Sequence, residues 1–533
     1  MFFLIPLLLF GIAIGGGYYF HNKKVRFAFT WFFITFFVCS AWLFWAFLTQ
    51  NQLSSIFFDA WINPYPELAN FQIDADKSSW IMGMIVFGWM AAFLFLNVEK
   101  MYKQAKARLS VLFPVLTIAI VLYLVLIANS LVSLLMMIAF IDVIEFTTSI
   151  KESPSTLTNS KTQLHFLIKI LSIFLIILTY LLLQRINEFA FIHNYSILLL
   201  YTVVMLRCTI LTWIPSTEEV GTVGKNEYRG FIFMAGNFLV AVKLIHMFGH
   251  QLDNILIRWA GIGIFAVLSL LSSMYWLGGK EIDSRKRFFI FTLINLMFLL
   301  ALIGLTNNLW IFALMLFLII GKPLLASSQQ TPLAIKIFYL YIFSGLPFSP
   351  FFQFSFQLHS RFENWVSIST IIIVCAILFI GFLPDLFIKR VKYETSDNEE
   401  GWFRLLRIIG WTILIATLII VVIKEINQYL IFTNVSWLFP VIFFIFIVAC
   451  YYLKKRNGEL RKVSPETETN ANITGGFNLR KYLTLDRAQN LALIIFQLLR
   501  DLSNFMTTLF EGRGGLIWSF VILTILLSIM QIN

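Results

Sequence analysis

Apolar segments long enough to cross a lipid bilayer, about 18 residues or more, recur along the whole chain of 533 residues. Charged residues make up only 13% of the sequence, about half the share found in soluble domains. Helices satisfy their backbone hydrogen bonds within each segment, as a bilayer requires. We therefore predict an all-α polytopic membrane protein with about 14–16 transmembrane helices. The predicted spans are 1–20, 28–49, 79–98, 109–128, 129–149, 163–183, 194–214, 229–250, 256–277, 286–305, 308–326, 334–356, 366–388, 404–424, 435–453 and 515–532.

The distribution of charge predicts an orientation in the membrane. The net charge is +12 at pH 7, and the basic residues cluster in short loops such as HNKKVR, EKMYKQAKAR, GGKEIDSRKR and KKRNGELRK. Loops of this kind face the inner side of a membrane. The N-terminus is therefore expected on the outer, positive side of a bacterial cytoplasmic membrane or a mitochondrial inner membrane. The same pattern explains the positive charge without nucleic acid, and no nucleic-acid partner is predicted.

The sequence carries no signature of a redox centre. The four cysteines, Cys39, Cys208, Cys375 and Cys450, stand alone in apolar segments, and no CxxC spacing occurs. A dinucleotide fingerprint and a haem ligand pair are also missing from the sequence. We predict no cofactor and no metal in this chain, no directly bound quinone, and no oxidoreductase activity by the chain alone. A place within a proton-translocating NADH:quinone oxidoreductase or a related complex stays open.

Several ionisable residues lie inside predicted spans, where a charge costs a few kcal/mol or more and marks a functional candidate. Asp142 and Glu145 are three residues apart and share one helix face. Lys243 and His246 likewise share one face of a later span. The remaining candidates are Lys169, Arg207 and Lys322.

Most of these residues also have a simpler interpretation. Lys169, Lys322 and Lys336 could each extend along their stems to the headgroups. Asp142 and Glu145 could be hydrated near the inner end of their span. The sequence alone leaves these readings open beside the functional ones.

Lys243 is harder to explain without a function. His246 and His250 have metal-ligand spacing, but no third ligand is evident, so packing or a water contact is expected for them. A lysine amine at low dielectric can lose and regain a proton near neutral pH, and a nearby carboxylate opposes that loss. One carboxylate pair and a series of basic residues on consecutive helices therefore favour a proton relay over a substrate site.

Helix breakers interrupt two spans at matching places. Pro215 lies in LTWIPSTEEV, and Gly345, Pro347 and Pro350 lie in SGLPFSPFF. Broken helices at corresponding positions of two halves are typical of inverted-repeat transporters. Alternatively, TWIPS only closes a span at the inner surface. The predicted organisation is three N-terminal spans in 1–108, a first five-helix repeat in 109–250, a second, inverted repeat in 256–388, and C-terminal spans in 389–533 with an amphipathic helix near 486–510.

Seven stretches follow one another in an order that is similar to a known family. They are FQIDADKSSWIMGMIVF, ANSLVSLLMMIAF, LTWIPSTEEV, AVKLIHMF, SRKRFFIFTL, GKPLLAS and SGLPFSPFF. The chain resembles, over roughly its first 390 residues, the proton-conducting antiporter-like membrane subunits of respiratory complex I (NADH dehydrogenase chain 2, 4 or 5 type) and of Mrp-type cation/proton antiporters.

The resemblance implies two half-channels, one from each membrane surface, joined by ionisable residues. Lys243 would be the relay site of the first half, tuned by Glu145 or Asp142, and Lys286 and Lys322 would serve the second half. The driving energy would come from other hydrophobic subunits of the same complex, with lipid around them. Either protons or Na⁺ would be the ion moved.

The sequence departs from the family at two central positions. The family's glutamate falls at Ile138, and its central lysine falls at Val204 with Arg207 one turn on. An arginine does not release its proton under ordinary conditions, although Arg207 could hold a carboxylate. Two alternatives therefore stay open beside the conducting subunit. One is a non-conducting structural subunit of the same fold, and the other is a subunit of a cation/proton antiporter or a stand-alone carrier.

Overall fold

The computed structural model of this chain describes most of its central helices. The chain divides into two compact units, Met1–Lys454 and Lys455–Asn533, and every described residue lies in the first. The described residues are 11, 15, 56–58, 71–73, 77–96, 123–152, 156–184, 190–210, 226–249, 255–278, 282–306, 309–319, 333–343, 349, 365–382 and 401–426.

Two short strands precede the helices. The strands β1 (Ile56–Phe58) and β2 (Phe71–Ile73) pair antiparallel, with Phe57 opposite Gln72. The helices are α1 (Lys77–Leu96), α2 (Leu131–Glu152), α3 (Thr156–Gln184), α4 (Ala190–Met205), α5 (Asn226–Phe248), α6 (Ile255–Gly278), α7 (Ile282–Ile303), α8 (Trp310–Ile319), α9 (Leu333–Phe343), α10 (Trp365–Phe382) and α11 (Gly401–Ile426). Apart from the hairpin, the architecture is all-α, as the hydropathy pattern predicts.

The helices coincide with predicted spans wherever both are described. The span predicted at 229–250, for example, corresponds to α5 at Asn226–Phe248. The span predicted at 163–183 lies within the longer α3, which begins at Thr156. The predicted spans that lie outside the described residues, apart from the isolated positions 11 and 15, are 1–20, 28–49, 435–453 and 515–532. The amphipathic segment 486–510 also lies outside them.

Several helices have the length and composition of membrane spans. Within the described residues, four are long and apolar enough to cross a membrane: Ser79–Leu96, His165–Leu183, Ile255–Leu277 and Arg285–Ile303. Shorter apolar helices add Ser196–Cys208, Phe233–Phe248, Val366–Phe382 and Leu405–Val421. The chain is therefore a polytopic membrane protein. The division into two inverted repeats stays a prediction.

Equally apolar helices occupy different positions in the bundle. The α1 segment Ser79–Leu96 is wholly buried against α11 and α8. By contrast, α3 and α6 expose large apolar side chains, including Phe174 and Met274. Hydrophobic residues all round a helix are compatible with burial in protein or with contact to lipid. Hydropathy alone therefore identifies these helices, but it does not predict which of them are buried in the bundle and which are exposed.

Local hydrogen bonds stabilise the start of α2 and the end of α7. The N-terminus of α2 is capped by a reciprocal pair, in which the Ser133 amide donates to Ser130 Oγ and the Ser130 amide donates to Ser133 Oγ, each at 3.2 Å. The helix α7 ends at Ile303, and the next residue, Gly304, has a φ of 82°. The Gly304 and Leu305 amides donate to the carbonyls of Ala301 and Leu300. This is the Schellman arrangement, which favours glycine at the left-handed position.

Candidate functional site: a buried charged cluster

Four ionisable residues from three segments meet in the interior. Asp142 and Glu145 lie on α2, Lys169 lies on α3, and Arg207 lies in a π-helical turn, Leu206–Ile210, that continues α4. The helix α3 packs against α2, α4 and this π-turn. We refer to the four residues as the charged cluster. A π-turn widens the helix and is frequent at functional sites.

Asp142 is the residue that both cations share. Its Oδ1 accepts a hydrogen bond from Arg207 Nη2 at 2.7 Å and lies 3.3 Å from Lys169 Nζ. Asp142 is 11 residues from the start of α2 and 10 from its end. By the helical rise it therefore lies roughly 15 Å from either end of α2. Its exposed fraction is only 3%, so Asp142 lies in the interior of the helix bundle and not at its surface.

Lys169 joins the two carboxylates of α2. Its Nζ donates to Glu145 Oε2 while also lying close to Asp142. Lys169 lies within the apolar stretch His165–Leu183 and is 2% exposed. An amine that points at two buried carboxylates does not extend to the headgroups, so the snorkelling interpretation of Lys169 is wrong. Glu145 is the most accessible member of the cluster, with a side chain that is 15% exposed.

Ser172 provides a second hydrogen-bond acceptor for Arg207, beside Asp142. Arg207 Nη1 donates to Ser172 Oγ at 2.8 Å, and Ser172 Oγ donates to the Lys169 carbonyl at 2.6 Å. Ser172 lies three residues after Lys169 and therefore on the same side of α3. Sequence reasoning missed Ser172. A hydroxyl one turn from an intramembrane lysine is the signal that could have found it.

The charges of the cluster balance. Two carboxylates face one ammonium and one guanidinium, so the formal sum is zero. Burying ions away from water is costly, and removing one partner of a buried pair costs about 3–5 kcal/mol because the other charge stays uncompensated. Asp142 Oδ2 and Arg207 Nε are buried and have no hydrogen-bond partner among the described residues. Each therefore keeps bonding capacity beyond the pairs already made.

Lys243 lies in a different environment from the charged cluster. It is 1% exposed, and its Nζ donates to Ser79 Oγ of α1 at 3.3 Å. Ser79 Oγ in turn donates at 2.5 Å to the carbonyl of Leu126, in the last turn of a helical segment at 123–127. The C-terminal end of a helix carries partial negative charge, which favours a nearby cation. Ser79 was not predicted as a contact of Lys243.

Asn237 lies beside the π-turn and on the same helix as Lys243. Its helix, α5, packs against the π-turn, where Cys208 Sγ contacts the Asn237 carbonyl at 3.5 Å. The side chain donates to the Phe233 carbonyl at 2.9 Å, but its Oδ1 is buried without a partner among the described residues. Asn237 is six residues before Lys243, about 9 Å along the helix axis. A buried acceptor thus lies on the helix that carries Lys243, beside the turn that carries Arg207.

The other predicted site residues lie on α5, α7 and α9 or outside the described residues. His246 is partly buried on α5, and Lys286 is partly buried near the start of α7. Lys322 and His250 lie outside the described residues. Lys336, in the first turn of α9, is 6% exposed, so it is buried and does not reach a surface. Within the described part of the chain, no group of three His, Cys, Asp or Glu side chains is placed to hold a metal ion.

The predicted helix breaks are only partly visible. The helix α4 passes into the π-turn at Leu206, and its description ends at Ile210. Pro215 therefore lies outside the described residues. The helix α9 is described to Phe343, directly before the SGLPFSPFF stretch, of which Ser349 alone is described, as a buried bend. The sequence did not predict the π-turn.

Comparisons with known proteins identify the fold. No protein-family model matches the chain, and no curated protein matches it. A chain of the Mrp complex from Dietzia sp. DQ12-45-1b superposes with a TM-score of 0.57 at 10% identity, over 99% of this chain and 63% of that one. The present chain thus spans less than two thirds of the length of that Mrp-complex chain.

Two further solved structures share the fold. A chain of the membrane-bound sulfane sulfur reductase, an archaeal respiratory membrane complex, gives a TM-score of 0.55 at 11% identity, over 98% of this chain and 100% of that one. A chain of respiratory complex I from Thermus thermophilus gives 0.53 at 14% identity, over 78% and 97%. The resemblance predicted from the seven motifs is confirmed at the level of architecture, because the chain shares its fold with chains of these three membrane complexes.

Proposed function

We propose that the chain is the membrane subunit of a multi-subunit ion-translocating complex and moves protons through two half-channels joined by ionisable residues inside the membrane. The observation that carries the proposal is the charged cluster. Four ionisable side chains, three of them buried and one partly exposed, meet among apolar helices, and intramembrane charges mark ion pathways by default. The partners would be other hydrophobic subunits, because similar folds occur in the Mrp complex and two respiratory membrane complexes.

The route through the first half would run from Glu145 to Lys243. Glu145 is the cluster member with the most exposed side chain, which makes it the natural entry point. Asn237 Oδ1, which has no hydrogen-bond partner among the described residues, would supply an acceptor on the helix that carries Lys243. Lys286 and Lys322 would serve the second half, and His246 would assist Lys243 from the same face of α5. The N-terminus would lie on the outer side of the membrane, as the basic loops predict.

A Lys243→Met variant tests this route in the assembled complex. Proton uptake would be followed with a fluorescent ΔpH probe in inside-out native vesicles, driven by NADH or by an imposed Na⁺ gradient. A relay residue contributes at least about tenfold to the proton-transfer rate, so uptake should fall by that factor while assembly is kept. The matched control is Thr202→Ala on α4, an exposed side chain bonded to its own helix. Unchanged uptake with intact assembly would remove Lys243 from the route.

A structural subunit without conduction is the second candidate, and Arg207 favours it. The family's central lysine is replaced near this position by a residue that stays charged and is bound to Asp142. Comparing native vesicles with vesicles that lack the chain separates the two functions. Equal proton uptake, with the partner subunits still assembled, would support the structural subunit and contradict the conducting one.

A further inference from the structure

The turn between α6 and α7 carries an arginine whose N–H donors have no partner within the described residues. Arg285 lies in the first turn of α7, and its guanidinium carbon lies 5.3 Å from the centre of the Trp276 ring of α6. Its Nε is buried, and the guanidinium makes no hydrogen bond or ion pair in the described part of the chain. Arg207, by contrast, is bound to Asp142 and Ser172. Because a buried donor without an acceptor is costly, Arg285 is suited to bind an anion.

Trp276 holds the guanidinium in a defined direction. Its ring is 3% exposed and packs against Phe382, with 4.8 Å between the ring centroids, and against Phe289, with 6.1 Å. On the neighbouring helix α10, Gly381 faces the ring so closely that a Cβ would have no room. Stacking on Trp276 occupies one face of the guanidinium and leaves the N–H donors at its edge available. A guanidinium placed in this way can bind a phosphate group through two parallel hydrogen bonds.

The charge of the turn also favours an anion. Residues 278–287, GGKEIDSRKR, contain four basic and two acidic side chains. The distribution of basic loops predicts that this turn lies at the inner surface of the membrane. Anionic lipids give the inner leaflet a negative surface potential, which attracts basic side chains next to a membrane span. The phosphate of an anionic phospholipid therefore complements the turn in charge and in position.

The helix α6 offers apolar surface on which the acyl chains of such a lipid can lie. Tyr275, Met274, Leu271, Val267 and Ile264 are all exposed. Tyr275 and Ile264 are 11 residues apart, so this surface extends about 16 Å along the helix axis from the turn. Half of the hydrocarbon core of a bilayer is about 15 Å thick. The exposed surface of α6 thus matches the length of the acyl chains in one leaflet.

We propose that the α6–α7 turn binds an anionic phospholipid of the inner leaflet, with the phosphate on Arg285 and the acyl chains on the exposed face of α6. This inference goes beyond the proposed function, because no member of the charged cluster takes part in it. It applies equally to a conducting subunit and to a structural one. Its failure would leave the proton-uptake experiments unaffected.

Photo-crosslinking of a lipid probe to the assembled complex tests the site. The complex would be reconstituted into phosphatidylcholine vesicles with a trace of phosphatidylglycerol that carries a diazirine in one acyl chain. Cross-linked peptides would be quantified by mass spectrometry, and the label is expected on residues 264–277. Unlabelled phosphatidylglycerol should compete at least about fivefold better than added phosphatidylcholine, as the attraction of one basic side chain to an anionic lipid predicts.

The parental complex alone can overturn the proposal. Equal competition by the two lipids would contradict the anionic preference, and a label found only outside residues 264–277 would contradict the position. Loss of the label in millimolar inorganic phosphate would assign Arg285 to free phosphate and not to a lipid. None of these measurements depends on the folding of a variant.

A pair of arginine substitutions tests the role of Arg285 itself. Arg285→Gln removes the charge and the stacked guanidinium, so labelling of residues 264–277 should fall about fivefold. The matched control is Arg258→Gln, which removes a partly buried arginine from the first turn of α6, at the opposite end of the same helix. Labelling in the control should stay at the parental level. Parental labelling in Arg285→Gln, or an equal loss in both variants, would overturn the proposal.

Discussion

The charged cluster and a second buried group of polar residues are built from different chemistry. The second group, which we term the polar seam, consists of Tyr201, Ser272, Thr292 and Asn295 on α4, α6 and α7. Tyr201 donates to Asn295 Oδ1 at 3.0 Å, and Thr292 Oγ1 lies 2.9 Å from Ser272 Oγ. All four side chains are neutral. The seam joins helices that are long and apolar, much as the charged cluster does, but it buries no ion.

Neutral hydrogen bonds and buried ion pairs contribute differently to stability. Interhelical hydrogen bonds between neutral groups in membrane proteins contribute about 0.6 kcal/mol on average, enough to align helices at little cost. Ion pairs buried in the same setting contribute little net stability and are sensitive to the loss of one partner. We expect the polar seam to serve packing, whereas the proposed function gives the charged cluster a role in transport. The contrast predicts different effects for substitutions in the two regions.

The largest effect is expected from Asp142→Leu. The change leaves the Arg207 guanidinium and the Lys169 ammonium facing Glu145 alone, so one positive charge is buried without compensation. The expected loss is about 3–5 kcal/mol of stability. It should be visible as a lower Tm of the purified complex and as less chain in the membrane fraction.

A second substitution tests the cause of that loss. In the double variant Asp142→Leu with Arg207→Met, the formal charge returns to zero, and Lys169 keeps Glu145 as its partner. Because apolar replacement of a buried ion pair is often neutral or stabilising, most of the Tm should be recovered. A double variant no more stable than the single one would contradict the charge-balance explanation.

The sequence predicts the helices of the charged cluster but not the contacts between them. Hydropathy predicts α2, α3 and α5, and the spacing of three residues predicts that Asp142 and Glu145 share a face. Each of these is a property of a single helix. The pairing of Lys169 with those acids depends on how α3 is rotated and shifted against α2, and that packing is decided by many side chains at once.

Two further features could not be predicted from the sequence, for related reasons. The π-turn at Leu206–Ile210 brings Arg207 to Asp142, and the strands Ile56–Phe58 and Phe71–Ile73 form a hairpin. A π-turn inserts one residue into a helix that otherwise keeps the same apolar composition, so periodicity does not reveal it. The three-residue strands are too short for alternation to be distinct. The sequence therefore predicted which ionisable residues lie inside spans, but not which of them contact one another.

A smaller effect is expected from Ser172→Ala. The change removes the acceptor of Arg207 Nη1 and leaves a buried donor without its bond, which costs about 1–3 kcal/mol. The Tm should fall measurably while the Asp142 pair is kept. The matched control is Ser273→Ala on α6, where the buried hydroxyl donates to the Leu270 carbonyl of its own helix. Equal losses in both variants would mean that Ser172 supports α3 and not Arg207.

The smallest effect is expected in the polar seam, from Thr292→Val. Valine keeps the shape of threonine, and the Thr292 hydroxyl also bonds within its own helix, to the Phe288 carbonyl at 2.8 Å. Ser272 keeps the Ser269 carbonyl as an acceptor at 3.0 Å, so no buried donor is stranded. The expected loss is about 0.6 kcal/mol, with proton uptake unchanged. A loss of uptake in this variant, measured in the same kind of vesicles as Lys243→Met, would place neutral hydroxyls on the proposed transport route and contradict the different roles expected for the two regions.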